Sequence, residues 1–445
     1  MSKRARVWLT ILASVLTFNL FVGYQVYSAE AKAADEEKAF EKIGIMMRVI
    51  HLIRKDYVDA EKVGYEDLIY NALHGMVNSL DPFSDFMPPQ QFQNMREETE
   101  GEFGGLGVTV TMRDDWLTVM SPMKDMPGAR AGLQAGDRIV RIDGEGTRGL
   151  KIHDAVGRLK GKPGTDVIIT VHRPSTNKTF DVTVTRELIP VLSVKDDHLV
   201  EGTKVGYVRV LQFSDPTAEA LETKLRGLLK QGAQSVIIDL RNNPGGLLKS
   251  AVDICSLFLK PGALVVSTEG RRPSQKEEFV APQRGWRVPK DVPIAILVNG
   301  GSASAAEIMA GCLRDHQRAV LVGERTFGKG SVQNVFDLPD GSALRLTTAM
   351  YYTPSRKVIH KKGVSPDIEV KLTEEEHRKL AMAESGINGT GDPVKVEDRQ
   401  LKRAVEVLQS YVSFDQARRG RVDPVKTARK KAEEEEKVKE KEKGE

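Results

Sequence analysis

From Phe40 to about Arg96 apolar side chains recur at helical spacing: Tyr65, Leu68, Ile69, Ala72, Leu73, Met76, Val77 and Leu80 follow an i, i+3, i+4, i+7 rhythm and define one face. "DPFSDFMPPQQF" breaks that rhythm. The earlier run "IGIMMRVIHLI" predicts another helix, with more apolar surface than a short two-helix unit can hide; a partner or the rest of the chain must cover it. Residues 98–188 read differently, as short strands and Gly-rich turns with one helix near "KIHDAVGRLKG". After Pro190 the pattern becomes α/β. "SVIIDL" and "VPIAILVN" are apolar runs of the buried-strand type, each followed by a Gly-rich turn and then a helical stretch, "LLKSAVDICSLFL" and "SAAEIMAGCLRD". From Ser331, "SVQNVFDLPDGSALRLTTAMYY" predicts a hairpin turning at "PDG". Beyond Glu374 the helical pattern weakens, and Arg429 to Glu445 is almost all charge with the signs balanced, which predicts a frayed helix or disorder.

The expected organisation is therefore an N-terminal segment (1–34), a helical region (35–97), a β-rich domain (98–188), an α/β core (189–375) and a helical C-terminal region (376–445). At 445 residues the chain is long enough for two or three separately cored domains. Its 66 basic residues outnumber 62 acidic ones by little and form no basic, aromatic-laced patch, which argues against nucleic acid.

The first residues change the picture. "MSKRAR" places cations ahead of the apolar stretch from Val7 to about Ser28, followed by small residues in "AEAKAAD", the make-up of an export signal. That stretch approaches the ~20 residues that span a bilayer, so cleavage and retention as a single anchor are both open. Either way the remainder is expected in the cell envelope, in the periplasm or on an extracytoplasmic membrane face. Cys255 and Cys312 each lie in an apolar helical context and read as buried free thiols, with pairing in an oxidising compartment the other possibility.

Two nucleotide-like motifs fail on their surroundings. "GEGTRG" (Gly144 to Gly149) sits in too short and turn-rich a unit for a dinucleotide site. "GERTFGK" (Gly323 to Lys329) is followed by Gly330, so the hydroxyl that would ligate magnesium is missing. The histidines show no paired metal spacing, and no cofactor is implied.

"NGGSASAAEI" (Asn299 to Ile308) carries the chemistry. A strand feeding a tight turn into a helix puts a serine where unpaired N–H groups and the helix dipole favour negative charge. Such a serine, taken alone, is more often a helix cap. Downstream, however, Lys329 is bracketed by Gly328 and Gly330, and Gln333 follows in an otherwise apolar strand start. A lysine serves as base for a serine once burial has destabilised its charged form.

"DLRNNPGG", "SASAAEIMAGCLRD", "VGERTFGKGSVQ" and "GVSPDIEV", in this order and spacing, resemble the carboxyl-terminal processing (tail-specific) proteases, serine peptidases with a Ser-Lys dyad and an embedded PDZ domain. The resemblance covers roughly residues 40–375 and implies a crotonase/Clp-protease-like α/β core, a β-rich inserted PDZ domain and helical ends. It makes Ser304 the nucleophile, because the interval from Ser304 to Lys329 matches the family's and that from Ser302 does not. Lys329 becomes the general base and Gln333 the group that orients its amine, a neutral amide where a carboxylate would keep the lysine protonated. The oxyanion hole is expected from the Ala305 N–H with an amide of "NNPGG", Gly245 or Gly246. Asp239 and Arg241 are expected to brace that loop, and Asp315 to play a supporting part. Ala306 stands where members commonly carry a third serine.

"FGGLGVTV" and "PGARAGLQAGDRIVRIDG" resemble a PDZ domain. The implied nest for a peptide's terminal carboxylate is Gly105, Leu106 and Gly107, with the helix around Ile152 to Leu159 as the other wall of the groove. Arg186 corresponds to a linker arginine that senses PDZ docking; an exposed arginine in an ordinary salt bridge is the alternative. The expected activity is endoproteolysis of protein substrates with apolar C-termini, by acylation of Ser304. A homodimer and a regulatory adaptor are possible partners. The rivals are a catalytically inactive PDZ adaptor, opposed by the presence of both Ser304 and Lys329, and an acyl-CoA hydrolase, opposed by the PDZ-like insert and export signal.

Overall fold

Apolar runs too short for helices and uninterrupted by charge form the centre of the molecule. The computed structural model describes residues 38–385 and 397–420. The expected export segment (1–34) and the charged tail from Arg429 lie outside them. The chain divides after Pro88 into two compact units.

In the first unit, residues 38–56 form α1 and Tyr65–Asn78 form α2. Both helices appear where the periodicity placed them, but their apolar faces are mostly uncovered. In α2 only Val77 is buried, while Tyr65 and Met76 are exposed; in α1 Ile50 is buried and Phe40, Ile43, Met46, Val49 and Leu52 are exposed.

The second unit opens with α3 (Pro89–Glu100) and β1 (Glu102–Gly105). A six-stranded antiparallel sheet follows, its main path in sequence order β2 (Val108–Arg113), β3 (Trp116–Pro122), β4 (Arg138–Ile142), β5 (Asp166–Arg173) and β6 (Lys178–Thr185), with the short strand Glu145–Gly146 paired to β4 off that path. The helix α4 (Ile152–Leu159) packs on it, and β7 (Glu187–Pro190) pairs back with β1. Leu117, Ile139, Val167, Ile169 and Val171, facing inward at alternate strand positions, give this layer a core of its own.

The α/β core is a six-stranded sheet in the order β8 (Val194–Leu199), β9 (Val205–Val210), β10 (Ser235–Asp239), β13 (Ile294–Val298), β14 (Val320–Gly323) and β17 (Ile368–Glu369), parallel except for β8. Alternate residues of β10 and β13 serve opposite faces. Val236, Ile238, Ile294, Ile296 and Val298 meet α5 (Thr217–Lys230), α6 (Leu248–Cys255) and α7 (Ala305–Asp315). After β17 comes α8 (Glu374–Ser385), and Ile237, Ala295 and Leu297 meet Ala404 and Leu408 of the C-terminal helix α9 (Arg399–Gly420). The weak helical pattern beyond Glu374 thus hides a docked element: Leu401, Ala404, Val405 and Leu408 keep helical spacing along one side of α9.

A second antiparallel sheet covers α7. In it β16 (Ala343–Tyr352) pairs with β15 (Ser331–Asp337) as the expected hairpin and with β11 (Leu264–Gly270), which pairs in turn with β12 (Glu277–Val280). Helix α7, buried from Ala305 to Leu313, is enclosed between two sheets. Cys255 and Cys312 are buried free thiols, and the hydrogen bond to Cys255, together with burial, pushes the Cys312 thiol upward.

Candidate active site

Strand β13 delivers a six-residue turn into α7. Ser302, fully buried, donates its hydroxyl to the Leu240 carbonyl (2.7 Å) and accepts the Asn299 N–H (3.0 Å), so it builds the turn. Ser304 is the N-cap of α7, with φ 55° and ψ −116°, a backbone conformation that costs a serine about 1–3 kcal/mol and must be imposed by its surroundings. Those surroundings are the parallel turn after β10. Asn242 and Asn299 exchange two hydrogen bonds of 2.9 Å, and the Ala303 N–H donates to the Asn243 carbonyl, also at 2.9 Å.

Gly245 explains its own presence. At φ 98° it lies so close to the serine turn that an added Cβ would be 2.7 Å from Ser304 Cβ and 2.8 Å from Ala305 N. Its N–H is committed to Asn243 Oδ1 (2.8 Å). The Gly246 and Ala305 N–H groups have no hydrogen-bond partner among the described residues.

The side chain that joins this turn to the lysine loop is Glu307, fully buried in the first turn of α7. One carboxylate oxygen accepts the N–H groups of Ser304 (2.9 Å) and Lys329 (2.8 Å); the other accepts the Gly328 N–H (2.7 Å) and the Thr326 hydroxyl. Burial raises its pKa, against the opposing pull of these four donors. Sequence reasoning missed this residue, although Ser304 followed by Glu307 is the spacing of a helix capping box.

Lys329 is half-buried, and burial first, then the positive charge of Arg345, holds its amine below the ordinary lysine range. Its flanking glycines are there for space: a Cβ on Gly328 would press on the Gly363 and Lys362 nitrogens at 3.0 and 3.1 Å, and one on Gly330 would lie 2.2 Å from the His360 nitrogen. Gln333 follows a bulge in β15, and its amide nitrogen donates to the Ser331 (2.8 Å) and Thr347 (3.3 Å) hydroxyls. Its amide oxygen is the acceptor that remains.

Behind the glycine loop Asp239, fully buried, accepts the Arg241 guanidinium (2.7 Å) and backbone N–H (2.9 Å) and the Tyr207 hydroxyl (2.7 Å). Burial opposes this carboxylate's charge, but the neighbouring arginines win and lower its pKa. Arg241 extends the network to α9, pairing with Asp398 (2.8 Å) and donating to Gln400 (3.1 Å). Asp315 lies at the far end of α7 from Ser304, where it accepts the Ser355 N–H at 3.0 Å.

In the β-rich domain, β2 is an edge strand, open to pairing along one side. Between β1 and β2, Leu106 and Gly107 use their carbonyls to hold Gly128 (2.7 Å) and Met123 (2.8 Å), while their own N–H groups have no partner among the described residues. Arg186 is neither exposed nor in a salt bridge. The residue is 8% accessible, and its guanidinium donates to the Leu159 and Arg158 carbonyls, each at 3.0 Å, and to the Asp166 carbonyl and Thr165 hydroxyl. It thereby caps the C-terminal end of α4 and ties it to the start of β7.

The profile of peptidase family S41 matches residues 204–370, and that of the PDZ domain matches residues 104–184. A carboxy-terminal-processing protease of Bartonella bacilliformis is 39% identical over 365 residues, covering 80% of this chain and 82% of its own. The chain belongs to peptidase family S41. Within that family, the carboxy-terminal processing protease CtpA of Bacillus subtilis is 32% identical over 91% of this chain and 85% of its own length. A carboxyl-terminal-processing protease of Synechocystis is 40% identical over 71% and 74%. The chain is thus a carboxy-terminal processing serine protease with a PDZ domain, as its motifs implied, and the reading as an inactive adaptor has no support. Among the described residues no group of metal-ligating side chains is present, and no helix is long and apolar enough to cross a membrane.

Proposed function

We propose that Ser304 is the nucleophile of this S41 peptidase and Lys329 its general base. The observation that carries the assignment is the Glu307 carboxylate, which fixes the Ser304 turn and the Lys329 loop on one pair of oxygens while burial favours the neutral amine. In this reading the amine takes the Ser304 proton as Oγ attacks the substrate carbonyl, then returns it to the leaving amine when the tetrahedral adduct collapses. Water then hydrolyses the acyl-enzyme by the same exchange. The negative oxygen is held by the Ala305 and Gly246 N–H groups, Gly245 providing the close approach rather than a donor. Gln333 accepts from the lysine amine through its oxygen.

The substrate's terminal carboxylate is received by the Leu106 and Gly107 N–H groups beside Gly105, with the peptide pairing along β2 opposite α4. Arg186, holding the end of α4, transmits occupancy of that groove to the linker. We further infer export to the cell envelope, with the N-terminal segment either cleaved or kept as an anchor. The uncovered face of α1 favours a homodimer; a regulatory adaptor rests on the family likeness alone. The test is degradation of an unfolded protein with a free or amidated C-terminus by the wild type, Ser304→Ala and Lys329→Ala. Both variants should lose activity and the amidated substrate should be cut more slowly; an active Lys329→Ala enzyme would remove the dyad.

A further inference from the structure

The turn after β16 and the last turns of α7 enclose a cavity of about 580 Å³. Five cations line it, Arg314, Arg325, Arg356, Lys357 and Lys362, against one carboxylate, Asp315. Two of the five are matched already: Arg314 donates to Asp367 at 2.7 Å, and Arg356 pairs with Glu278 and Glu269. Asp315 is held by the Ser355 N–H and the Thr353 and Ser355 hydroxyls, with Lys357 acting on it only at longer range. Glu324, next to Arg325 in sequence, is engaged by the Leu372 N–H and His377. Arg325, Lys357 and Lys362 have no carboxylate within ion-pair distance among the described residues.

The cavity shares a wall with the lysine loop. The Lys361 N–H donates to the Gly328 carbonyl (2.8 Å), the Val364 N–H to the Thr326 hydroxyl (2.7 Å), and the Thr326 N–H to the Val364 carbonyl (3.1 Å). Residues 359 and 362–364, on that same segment, line the cavity, so a layer of backbone separates it from the loop that carries Lys329.

We propose that this cavity binds a multivalent phosphoryl oxyanion, and that its occupancy lowers the peptidase activity. One guanidinium fork and two ammonium groups, unmatched around a space larger than a single phosphate, suit a run of two or three phosphoryl groups. Negative charge behind the loop favours the protonated Lys329, opposing Arg345 of β16; Glu307 faces the same loop from α7, and His360 lies against Gly330. The inhibitory half rests on the reading of Lys329 as base; the binding half does not.

Inorganic tripolyphosphate is the probe, titrated by calorimetry into the full chain carrying Ser304→Ala at about 0.15 M salt, where exposed charges are screened beyond about 8 Å. Saturable binding is expected, weakened about tenfold or more when the exposed Arg325 and Lys362 are both changed to alanine. Equal affinity in that variant, or no binding at this salt, overturns the site. Tighter binding of hexaglutamate than of tripolyphosphate also overturns it, in favour of an acidic polypeptide. With Ser304 intact, tripolyphosphate should move the acid limb of the pH–rate profile upward by roughly half a unit, and the Arg325→Ala, Lys362→Ala enzyme should keep its basal activity and lose the shift. Bound tripolyphosphate with an unmoved profile refutes the inhibition. An active Lys329→Ala enzyme would instead refute the base assignment, leaving the calorimetric result unaffected.

Discussion

Replacing Glu307 by glutamine tests whether one carboxylate sets the register of the Ser304 turn and the Lys329 loop. The change is nearly isosteric, but it turns one acceptor oxygen into a donor facing groups that already donate. If the new NH2 faces the Ser304 and Lys329 N–H groups, two buried donors lose their acceptor. If it faces the other pair, the Thr326 hydroxyl can turn and accept, and only the Gly328 N–H is orphaned. The second arrangement is the cheaper, at about 1–3 kcal/mol for one unsatisfied buried donor. A shift of the loop by ~1 Å costs catalysis on the order of a hundredfold. Glu307→Gln should therefore unfold a few degrees below the wild type and lose about two orders of magnitude in kcat on a fluorogenic peptide, with a smaller change in KM. Glu307→Ala, which orphans all four donors and opens a void, should be worse on both measures. A glutamine variant with wild-type Tm and kcat, or an alanine variant milder than it, would show that Glu307 does not hold the site together.

Three further expectations follow from particular contacts. Because the folded state holds the Lys329 proton less tightly than the unfolded chain, the fold carries a penalty at neutral pH that fades as the pH rises through the ordinary lysine value of about 10.4; Lys329→Met should be inactive yet melt higher than the wild type at pH 7, with the gain gone above about pH 10.5, and a variant that melts lower at both would contradict the burial argument. Gly245→Ala places a methyl group against Ser304 and Ala305 at a positive φ and should reduce kcat by roughly a hundredfold or more; Gly300→Ala, with open space around it, is the control, and equal activities would dismiss the close approach. Arg186→Lys loses the fork that caps α4, a charged hydrogen-bond set worth about 1.5–3 kcal/mol, so affinity for a free-carboxylate peptide, measured by fluorescence anisotropy, should fall about tenfold; unchanged affinity would detach Arg186 from the groove.

Strands β10 and β13 and the helices after them were legible because such buried strands read as apolar runs, and the β15–β16 hairpin because its turn residues are explicit. Ser304 and Lys329 stood out through their turns, and the glycines flanking Lys329 prove to lie where neighbouring backbone leaves no room for a Cβ. Glu307 did not, since a buried glutamate in a helix looks like any surface glutamate until its four donors, drawn from two separate turns, are assembled around it. The alternative kept for Arg186, an exposed arginine in an ordinary salt bridge, fails for the same reason: helix-end carbonyls leave no mark in sequence. Helix α9 was under-read because only a narrow stripe of it is apolar; Ala404 and Leu408 suffice for docking once a flat sheet face is there to receive them.

The guanidinium of Arg241 steadies the glycine loop with help from Asp398 and Gln400, the latter 159 positions later in the chain. On the proposed assignment, a ribosome therefore finishes Ser304 and Lys329 before it releases the helix that completes the support of the glycine loop. A polypeptide cut short after the serine and lysine would leave Arg241 with Asp239 alone and the glycine loop without its outer brace.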